Sequence, residues 1–159
     1  MSSCKFEIIN GQKFRKKVRA FIINENNELL LIRPKHYKSD VWSFVGGGVD
    51  ENESTEESVI REIKEEAGIE KIISIKKSKH INKYDYKPEY RTEYKGQIAY
   101  YFVVQVKSDE EIKIQNDEIS DFCWVKLDEV HNYVKIKEQF DFFALVAEEF
   151  ELDLLKKSS

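Results

Sequence analysis

One stretch, residues 46–69, constrains the fold of this chain more than any other, because a glycine-rich loop there leads directly into an acidic segment with helix-end signals. Ser54 and Glu57 have the S-x-x-E spacing of a capping box. Gly68 is placed to end a helix in the left-handed conformation. These signals predict a helix over residues 54–67, entered from a loop that allows close backbone approach.

Three glutamates share one face of this predicted helix. Glu62, Glu65 and Glu66 fall at i, i+3 and i+4, within about one turn. Like charges this close repel by about 0.2–0.5 kcal/mol per pair. The cluster therefore indicates either a solvated acidic face, with ion pairs such as Arg61–Glu65, or a site for a divalent cation. Mg²⁺ and Mn²⁺ both take oxygen ligands, and the glycine loop beside the cluster favours the cation site.

The same stretch matches the pattern G-x5-E-x7-R-E-U-x-E-E-x-G-U, with U an aliphatic residue, at every fixed position. The matching residues are Gly47, Glu53, Arg61, Glu62, Ile63, Glu65, Glu66, Gly68 and Ile69. This pattern is the Nudix box, and the chain resembles the MutT-like Nudix hydrolases. The resemblance implies an α/β/α sandwich with a mixed central sheet. It also implies metal-dependent hydrolysis of a phosphoanhydride bond in substrates of the type nucleoside diphosphate–X.

The resemblance further implies roles for individual residues around the metal. Glu62, Glu65 and Glu66 match the metal-binding glutamates, and Gly46 matches a position whose carbonyl adds a ligand. The cofactor implied is Mg²⁺ or Mn²⁺. The bound metal lowers the pKa of a water molecule and offsets charge on the phosphoryl oxygens.

Three further residues take catalytic or bracing roles by the same resemblance. Arg61 and Glu53 match a pair that braces the loop against the helix. The general base varies within the family between a glutamate of the box and a glutamate of a later loop. Glu118 has the right distance from the tryptophan strand to be that later glutamate. The sequence leaves the two options for the base open.

Substrate contacts are expected on both sides of the glycines. Gly47 and Gly48 allow the backbone to approach phosphates, and Arg33, at the end of a predicted strand, is either a phosphate contact or a surface charge. The loop departs from many family members, which have Pro at the position of Val45 and Lys at that of Gly48. These differences make the loop more flexible and leave the substrate subclass open.

A second resemblance concerns the substrate. Residues 84–105 are similar to the YD…(K)GQ…WF pattern of dinucleoside polyphosphate hydrolases and RNA 5′-pyrophosphohydrolases, with Tyr101 in place of the tryptophan. Tyr84 or Tyr86 would then stack on a base. A dinucleoside polyphosphate or the 5′-triphosphate end of RNA is the leading substrate. The alternatives are a (d)NTP in nucleotide house-cleaning, ADP-ribose or another nucleotide sugar, and a nucleotide sensor that does not hydrolyse.

The whole chain of 159 residues predicts a single domain with a core over about 17–150. Apolar and β-branched runs predict strands at 17–24, 28–33, 42–49, 71–86, 96–107 and 121–127. Helical spacing predicts a C-terminal helix over 136–155. The apolar stripes are Ile60, Ile63 and Ala67 on the first helix and Ile136, Phe140, Phe143, Ala147 and Phe150 on the second.

Charge and cysteine content bound the setting. The net charge is −4, yet residues 71–95 carry eight basic and three acidic side chains, which either attract phosphate or form a solvated hairpin. Cys4 and Cys123 have no metal spacing, and Cys123 in an apolar run is expected to be buried. No signal peptide or membrane-spanning run is recognisable, so we expect a cytoplasmic protein without a membrane partner. The oligomeric state stays open, with a homodimer as one option.

Overall fold

A computed structural model describes residues 5–35, 41–115 and 117–152 of the chain. Its elements, in chain order, are β1 (Phe6–Ile9), β2 (Gln12–Ile23), β3 (Glu28–Pro34), β4 (Val45–Gly48), α1 (Thr55–Ala67), β5 (Ser74–Asp85), β6 (Gly96–Gln105), β7 (Ile119–Lys126), a 3-10 helix (Leu127–Asn132) and α2 (Lys137–Glu149). The described part is therefore a mixed α and β fold, as the sequence predicts.

The strands form a seven-stranded mixed sheet in the described part of the chain. Its main path runs β5-β6-β2-β3-β7, and β1 and β4 both pair with β2. The β2–β6 pair is parallel, and the other pairs are antiparallel. The long strand β2 is the organising element, because it alone contacts β6 along one edge and β1, β4 and β3 in turn along the other.

Side chains of β2 alternate between two cores on the two faces of the sheet. Val18, Ala20 and Ile22 pack on the face that α1 covers. Phe21 and Ile23 pack on the opposite face, which α2 covers. Each fully buried large side chain contributes about 1.5–3 kcal/mol of hydrophobic stabilisation. Two helices that cover opposite faces of one sheet give the α/β/α layering that the resemblance implies.

The first helix begins and ends where the sequence predicts. The Ser54 hydroxyl accepts a hydrogen bond from the Glu57 N–H at 3.0 Å, and the Glu57 carboxylate accepts one from the Ser54 N–H at 2.9 Å. Gly68 has φ 70°, the left-handed conformation. The predicted stripe is wrong at Ile60, which is 41% exposed. Val59 takes its place, because residues four apart, here 59, 63 and 67, turn toward the sheet together.

Other boundaries differ from the sequence predictions. β2 starts at Gln12 rather than at 17, and the strand predicted over 42–49 is the four-residue β4. The C-terminal helix ends at Glu149 rather than at 155, with residues 153–159 outside the described part. Ile136 caps this helix and is 40% exposed, so it does not belong to the apolar stripe.

Cys123 is half-buried rather than fully buried, because β7 lies at the edge of the sheet path. Its thiol is free, and burial raises its pKa to about 11. Cys4 lies outside the described residues. Two elements have no counterpart in the sequence predictions, the short β1 and the 3-10 helix after β7.

Candidate active site

Strand β4 and helix α1 bring the predicted glycines and glutamates together. The backbone N–H of Gly46 donates a hydrogen bond to the Glu66 carboxylate at 3.0 Å. Gly47 faces Glu62 so closely that a Cβ added there would collide with the Glu62 carboxylate. Glycine is therefore required at this position for the two elements to pack. The Glu62 and Glu66 carboxylates therefore lie against the glycine backbone of β4, which carries no side chains at this point.

The two inner glutamates, Glu62 and Glu66, are half-buried acids. Burial raises the pKa of Glu62 to about 7, partly opposed by Arg61 and reinforced by Glu65. Burial likewise raises the pKa of Glu66 to about 7, opposed by the Gly46 N–H and by Arg19. Glu65 differs from them, because its side chain is 52% exposed. Glu62, Glu65 and Glu66 form a glutamate ridge on α1. This ridge has two partly desolvated carboxyls, Glu62 and Glu66, and one solvated carboxylate, Glu65.

Arg61 ties the glycine loop to the helix. Its guanidinium donates to the Glu53 carboxylate through Nε at 2.7 Å and through Nη2 at 3.0 Å. Nη2 also donates to the Gly48 carbonyl at 2.9 Å. This fork matches the geometry of a bidentate arginine–carboxylate pair, which is both strong and directional. The contact between Arg61 and Glu53 is the one that the resemblance implies.

The remaining guanidinium nitrogen of Arg61 points at the glutamate ridge. Nη1 donates to Glu62 at 3.2 Å and to Glu65 at 3.2 Å. Among the described residues, no three histidine, cysteine or acidic side chains converge as a closed metal cluster.

The donor set nevertheless fits a hard divalent cation. Glu62, Glu65 and Glu66 offer only oxygen atoms, and Mg²⁺ needs few protein ligands because it keeps several waters. Burial of two of these carboxyls beside a glycine backbone is the kind of environment that a bound cation stabilises. The residues present therefore fit the group that the box implies.

Glu118 approaches the same carboxylates from a separate loop. Its negative charge adds to the rise in the pKa of both Glu62 and Glu66, so it lies on their side of the sheet. The Glu118 carbonyl accepts a hydrogen bond from the Lys35 N–H at 2.8 Å. The Gln115 N–H donates to the Glu66 carbonyl at 3.3 Å, which fastens this loop to the end of α1. The fold thus brings Glu118 to the ridge from about fifty positions along the chain.

The other predicted substrate residues lie elsewhere. The described contacts of Arg33 lie on β7 and Trp42. Its Nε donates to the Ser120 hydroxyl at 3.2 Å, its Nη2 is 3.6 Å from the Asp121 carboxylate, and its guanidinium lies 5.2 Å from the centre of the Trp42 ring. None of these partners is on α1. The role of Arg33 stays a prediction.

Tyr84 and Tyr86 lie together at the end of β5. Their rings are 6.1 Å apart in an edge-to-face arrangement. Burial raises the pKa of Tyr84 to about 12, and Tyr84 is still 37% exposed. Tyr86 also stacks on Tyr90 at 5.3 Å. Aromatic rings that remain accessible at a strand end are able to stack on a base.

Sequence reasoning missed three cations on β2. Arg15, Lys17 and Arg19 occupy alternate positions of this strand and are half-buried. They lie on the face of β4 opposite Glu62, where Gly46 and Gly48 leave room for the side chains of Arg19 and Arg15. The signal was present in the order RKKVR, because alternate positions of a strand share one face.

The sequence model of the NUDIX domain matches residues 13–146. The chain belongs to the Nudix family. That match contains β2, the box, Glu118 and most of α2, so it covers every part of the candidate site. The chain is accordingly a Nudix hydrolase, as the box predicted.

Relatives agree with this assignment. An RNA pyrophosphohydrolase of Nitratiruptor sp. is 29% identical over 131 residues, 77% of this chain and 84% of the relative. An RNA pyrophosphohydrolase of Ruthia magnifica is 31% identical over 130 residues, 74% of this chain and 71% of the relative. The solved structure of the E. coli dihydroneopterin triphosphate pyrophosphohydrolase matches the fold with a TM-score of 0.67 at 17% identity, covering 84% of this chain and 95% of that one.

Within residues 5–35, 41–115 and 117–152, no helix combines the length and apolar character needed to cross a bilayer.

Proposed function

We propose that this Nudix hydrolase cleaves the phosphoanhydride chain at the 5′ end of triphosphorylated RNA, with dinucleoside polyphosphates as related substrates. The observation that carries the hydrolytic role is the partial burial of Glu62 and Glu66 against the glycine strand β4. Two desolvated carboxyls beside an open backbone are costly unless a cation and an anionic ligand meet there. The names of the two curated relatives support RNA as the substrate.

Metal binding falls to the glutamate ridge and the loop. Glu62, Glu65, Glu66 and the carbonyl of Gly46 would hold Mg²⁺ or Mn²⁺. When bound, the metal lowers the pKa of a water molecule and offsets charge on the phosphoryl oxygens. Arg61, fixed by Glu53, keeps the loop carbonyl of Gly48 in place at 2.9 Å. The brace acts through position, because small displacements of catalytic groups cost large factors in rate.

Proton transfer falls to Glu118. A water oxygen forms a bond to phosphorus, the bridging oxygen leaves with its electron pair, and the Glu118 carboxylate accepts the proton of the water. Glu118 suits this role because it is exposed and close to the ridge, yet belongs to a separate loop. Tyr84 and Tyr86 stack on the first base, and Arg33 contacts an outer phosphate.

A substrate panel with Mg²⁺ tests the proposal. The panel contains 5′-triphosphorylated RNA, diadenosine tetraphosphate, oxidised dGTP and ADP-ribose, and release of phosphate or pyrophosphate is measured. We expect the RNA to have the highest kcat/KM. Turnover of oxidised dGTP, without turnover of the RNA or of diadenosine tetraphosphate, would refute the proposed substrate class. Nucleotide binding without turnover in every case would instead make the protein a sensor.

Two variants of α1 form a matched pair. Glu66→Gln removes a charge from the buried ridge, and we expect kcat to fall by about 100-fold or more. Glu56→Gln removes the same charge from the exposed first turn of the same helix and is expected to leave kcat unchanged. Equal activity of the two variants contradicts a metal site at the ridge.

A further inference from the structure

The three cations of β2 lie on one face of the sheet, at alternate positions of the strand. Successive residues of the set are two positions apart, so the row from Arg15 to Arg19 is about 13 Å long. The described contacts of α2 on this face reach Tyr101, whose ring stacks on Phe142 at 5.3 Å. The neighbouring strand β6 places Gln97 beside Arg15 and Ala99 beside Lys17. Ala99, the residue beside Lys17, is small.

These cations have no anionic partner of their own. In the part of the chain that the structure describes, none of the three forms an ion pair with a carboxylate. Burial lowers the pKa of Lys17, and the charges of Arg15 and Arg19 lower it further. Three half-buried like charges repel one another. An anionic ligand would relieve that repulsion.

The row is also rigidly held. Arg15 Nη1 donates to the Val49 carbonyl at 2.7 Å and to the Lys5 carbonyl at 2.9 Å. Arg19 Nη1 donates to the Phe44 carbonyl at 3.0 Å. Neutral carbonyls orient the guanidinium groups without neutralising them. The site is therefore preorganised for an anion, which reduces the entropy that binding must overcome.

The row is coupled to both parts of the proposed active site. Glu62 raises the pKa of Lys17, and Arg19 lowers the pKa of Glu66, so cations and catalytic acids lie close on either side of β4. The charge of Arg15 lowers the pKa of Tyr86, and the charge of Arg19 lowers the pKa of Tyr84, so the cations also lie near the two tyrosines. A chain of phosphates along the row would connect the ridge to the tyrosines.

We propose that Arg15, Lys17 and Arg19 form a phosphate-binding row that holds the phosphates of the substrate that are not being cleaved. This inference rests on the proposed function and adds a positioning role to it. A row of about 13 Å is longer than one anhydride linkage requires, so it selects ligands with an extended phosphate chain or a second nucleotide. The ligand class is the polyphosphorylated end of a nucleotide or an RNA.

Direct binding tests the row without turnover. A 5′-triphosphorylated oligoribonucleotide labelled at its 3′ end is titrated with the full chain in EDTA, and fluorescence anisotropy gives Kd. We expect Lys17→Gln to weaken binding by about 10- to 100-fold, as for the loss of a hydrogen bond to a charged group. Lys17→Arg is expected to restore most of the affinity. The slope of log K against log salt should fall by about 1 in Lys17→Gln.

Lys16→Gln is the matched control. Lys16 has the same charge on the same strand, but alternation places it on the other face, with Phe14 and Val18. We expect its Kd and salt slope to stay within about twofold of wild type, within the spread of surface substitutions. Equal Kd values and equal salt slopes for Lys16→Gln and Lys17→Gln would overturn the proposal.

Steady-state kinetics separates this inference from the proposed function. With Mg²⁺ and the RNA substrate, Lys17→Gln should raise KM by about 10-fold and leave kcat within about threefold, since the row contacts phosphates that do not react. If the wild type cleaves the RNA and Lys17→Gln has an unchanged KM, the phosphate-binding row is refuted and the proposed function stands. If binding depends on Lys17 but the wild type does not cleave the RNA, the proposed function is refuted and the phosphate-binding row stands.

Discussion

The two faces of β4 carry opposite charges. On the α1 face, Glu62 and Glu66 are half-buried, and each has a pKa raised to about 7. On the other face, Arg15, Lys17 and Arg19 are half-buried cations. Gly46, Gly47 and Gly48 of β4 lie between the two sets, and a side chain at any of them would collide with a member of one set. One strand of glycine backbone therefore separates a site for cations from a site for anions.

Gly47→Ala attacks the acidic face and should have the largest effect. The added Cβ would collide with the Glu62 carboxylate, whose position is set by the 3.2 Å hydrogen bond from Arg61 Nη1. We expect kcat to fall by about 100-fold, the scale of a displacement of roughly 1 Å in a catalytic group. Activity within about threefold of wild type would show that the fit of Glu62 under the loop is irrelevant to catalysis.

The acidic face was predictable because its signals are contiguous. The capping box and Gly68 fixed the ends of α1 to within one residue, and the glutamates follow from helical spacing. The basic face was not predicted, because the order RKKVR alone is typical of an exposed strand. Only the pairing of β4 with β2 shows that these cations lie against the glycines. The contact of the Glu118 loop with α1 depends on tertiary folding, which no local pattern encodes.

Boundaries failed where local signals were weak. The end of α2 at Glu149 has no glycine cap, so the apolar stripe extended the prediction to 155. Ile60 and Val59 are neighbours, and only the orientation of α1 on the sheet decides that Val59 is buried. Residues of equal hydrophobicity at adjacent helical positions cannot be ranked from the sequence.

Arg61→Lys separates the brace from the charge on the acidic face. Lysine keeps the positive charge but loses the fork that bonds Glu53 and the Gly48 carbonyl. We expect the free energy of unfolding to fall by about 2 kcal/mol, between the values for exposed and buried pairs. Urea unfolding measures it, and Lys64→Arg, on the exposed side of the same helix, is the control. A loss below about 0.5 kcal/mol in Arg61→Lys would show that the fork adds no stability beyond the charge.

The raised pKa values predict how stability depends on pH without metal. Glu62 and Glu66 have ordinary pKa values of 4.5 when unfolded and about 7 when folded, so unfolding releases protons between these limits. In EDTA, the free energy of unfolding should fall as pH rises from 4.5 to 7, by on the order of a few kcal/mol for the two half-buried groups together.

Thermal melts across this range measure that dependence. Glu66→Gln should reduce the slope, and Glu56→Gln should not change it. Saturating Mg²⁺, at about 100 times its Kd, should add about 2.7 kcal/mol. The gain should be larger at pH 8 than at pH 6, because metal binding requires the ionised carboxylates. Identical slopes in wild type and Glu66→Gln would contradict burial of this carboxyl.

Gly48→Ala attacks the basic face and should have the smallest effect. Here the added Cβ would meet Nη2 of Arg15, so this guanidinium must shift while the Glu62 carboxylate on the other face of β4 stays in place. We expect KM for 5′-triphosphorylated RNA to rise by about fivefold with kcat unchanged, because one charged contact to phosphate is displaced rather than removed. A fall in kcat as large as that of Gly47→Ala would mean that both faces of β4 belong to one catalytic unit, and the division of labour between acids that hold metal and cations that hold phosphate would have to be abandoned.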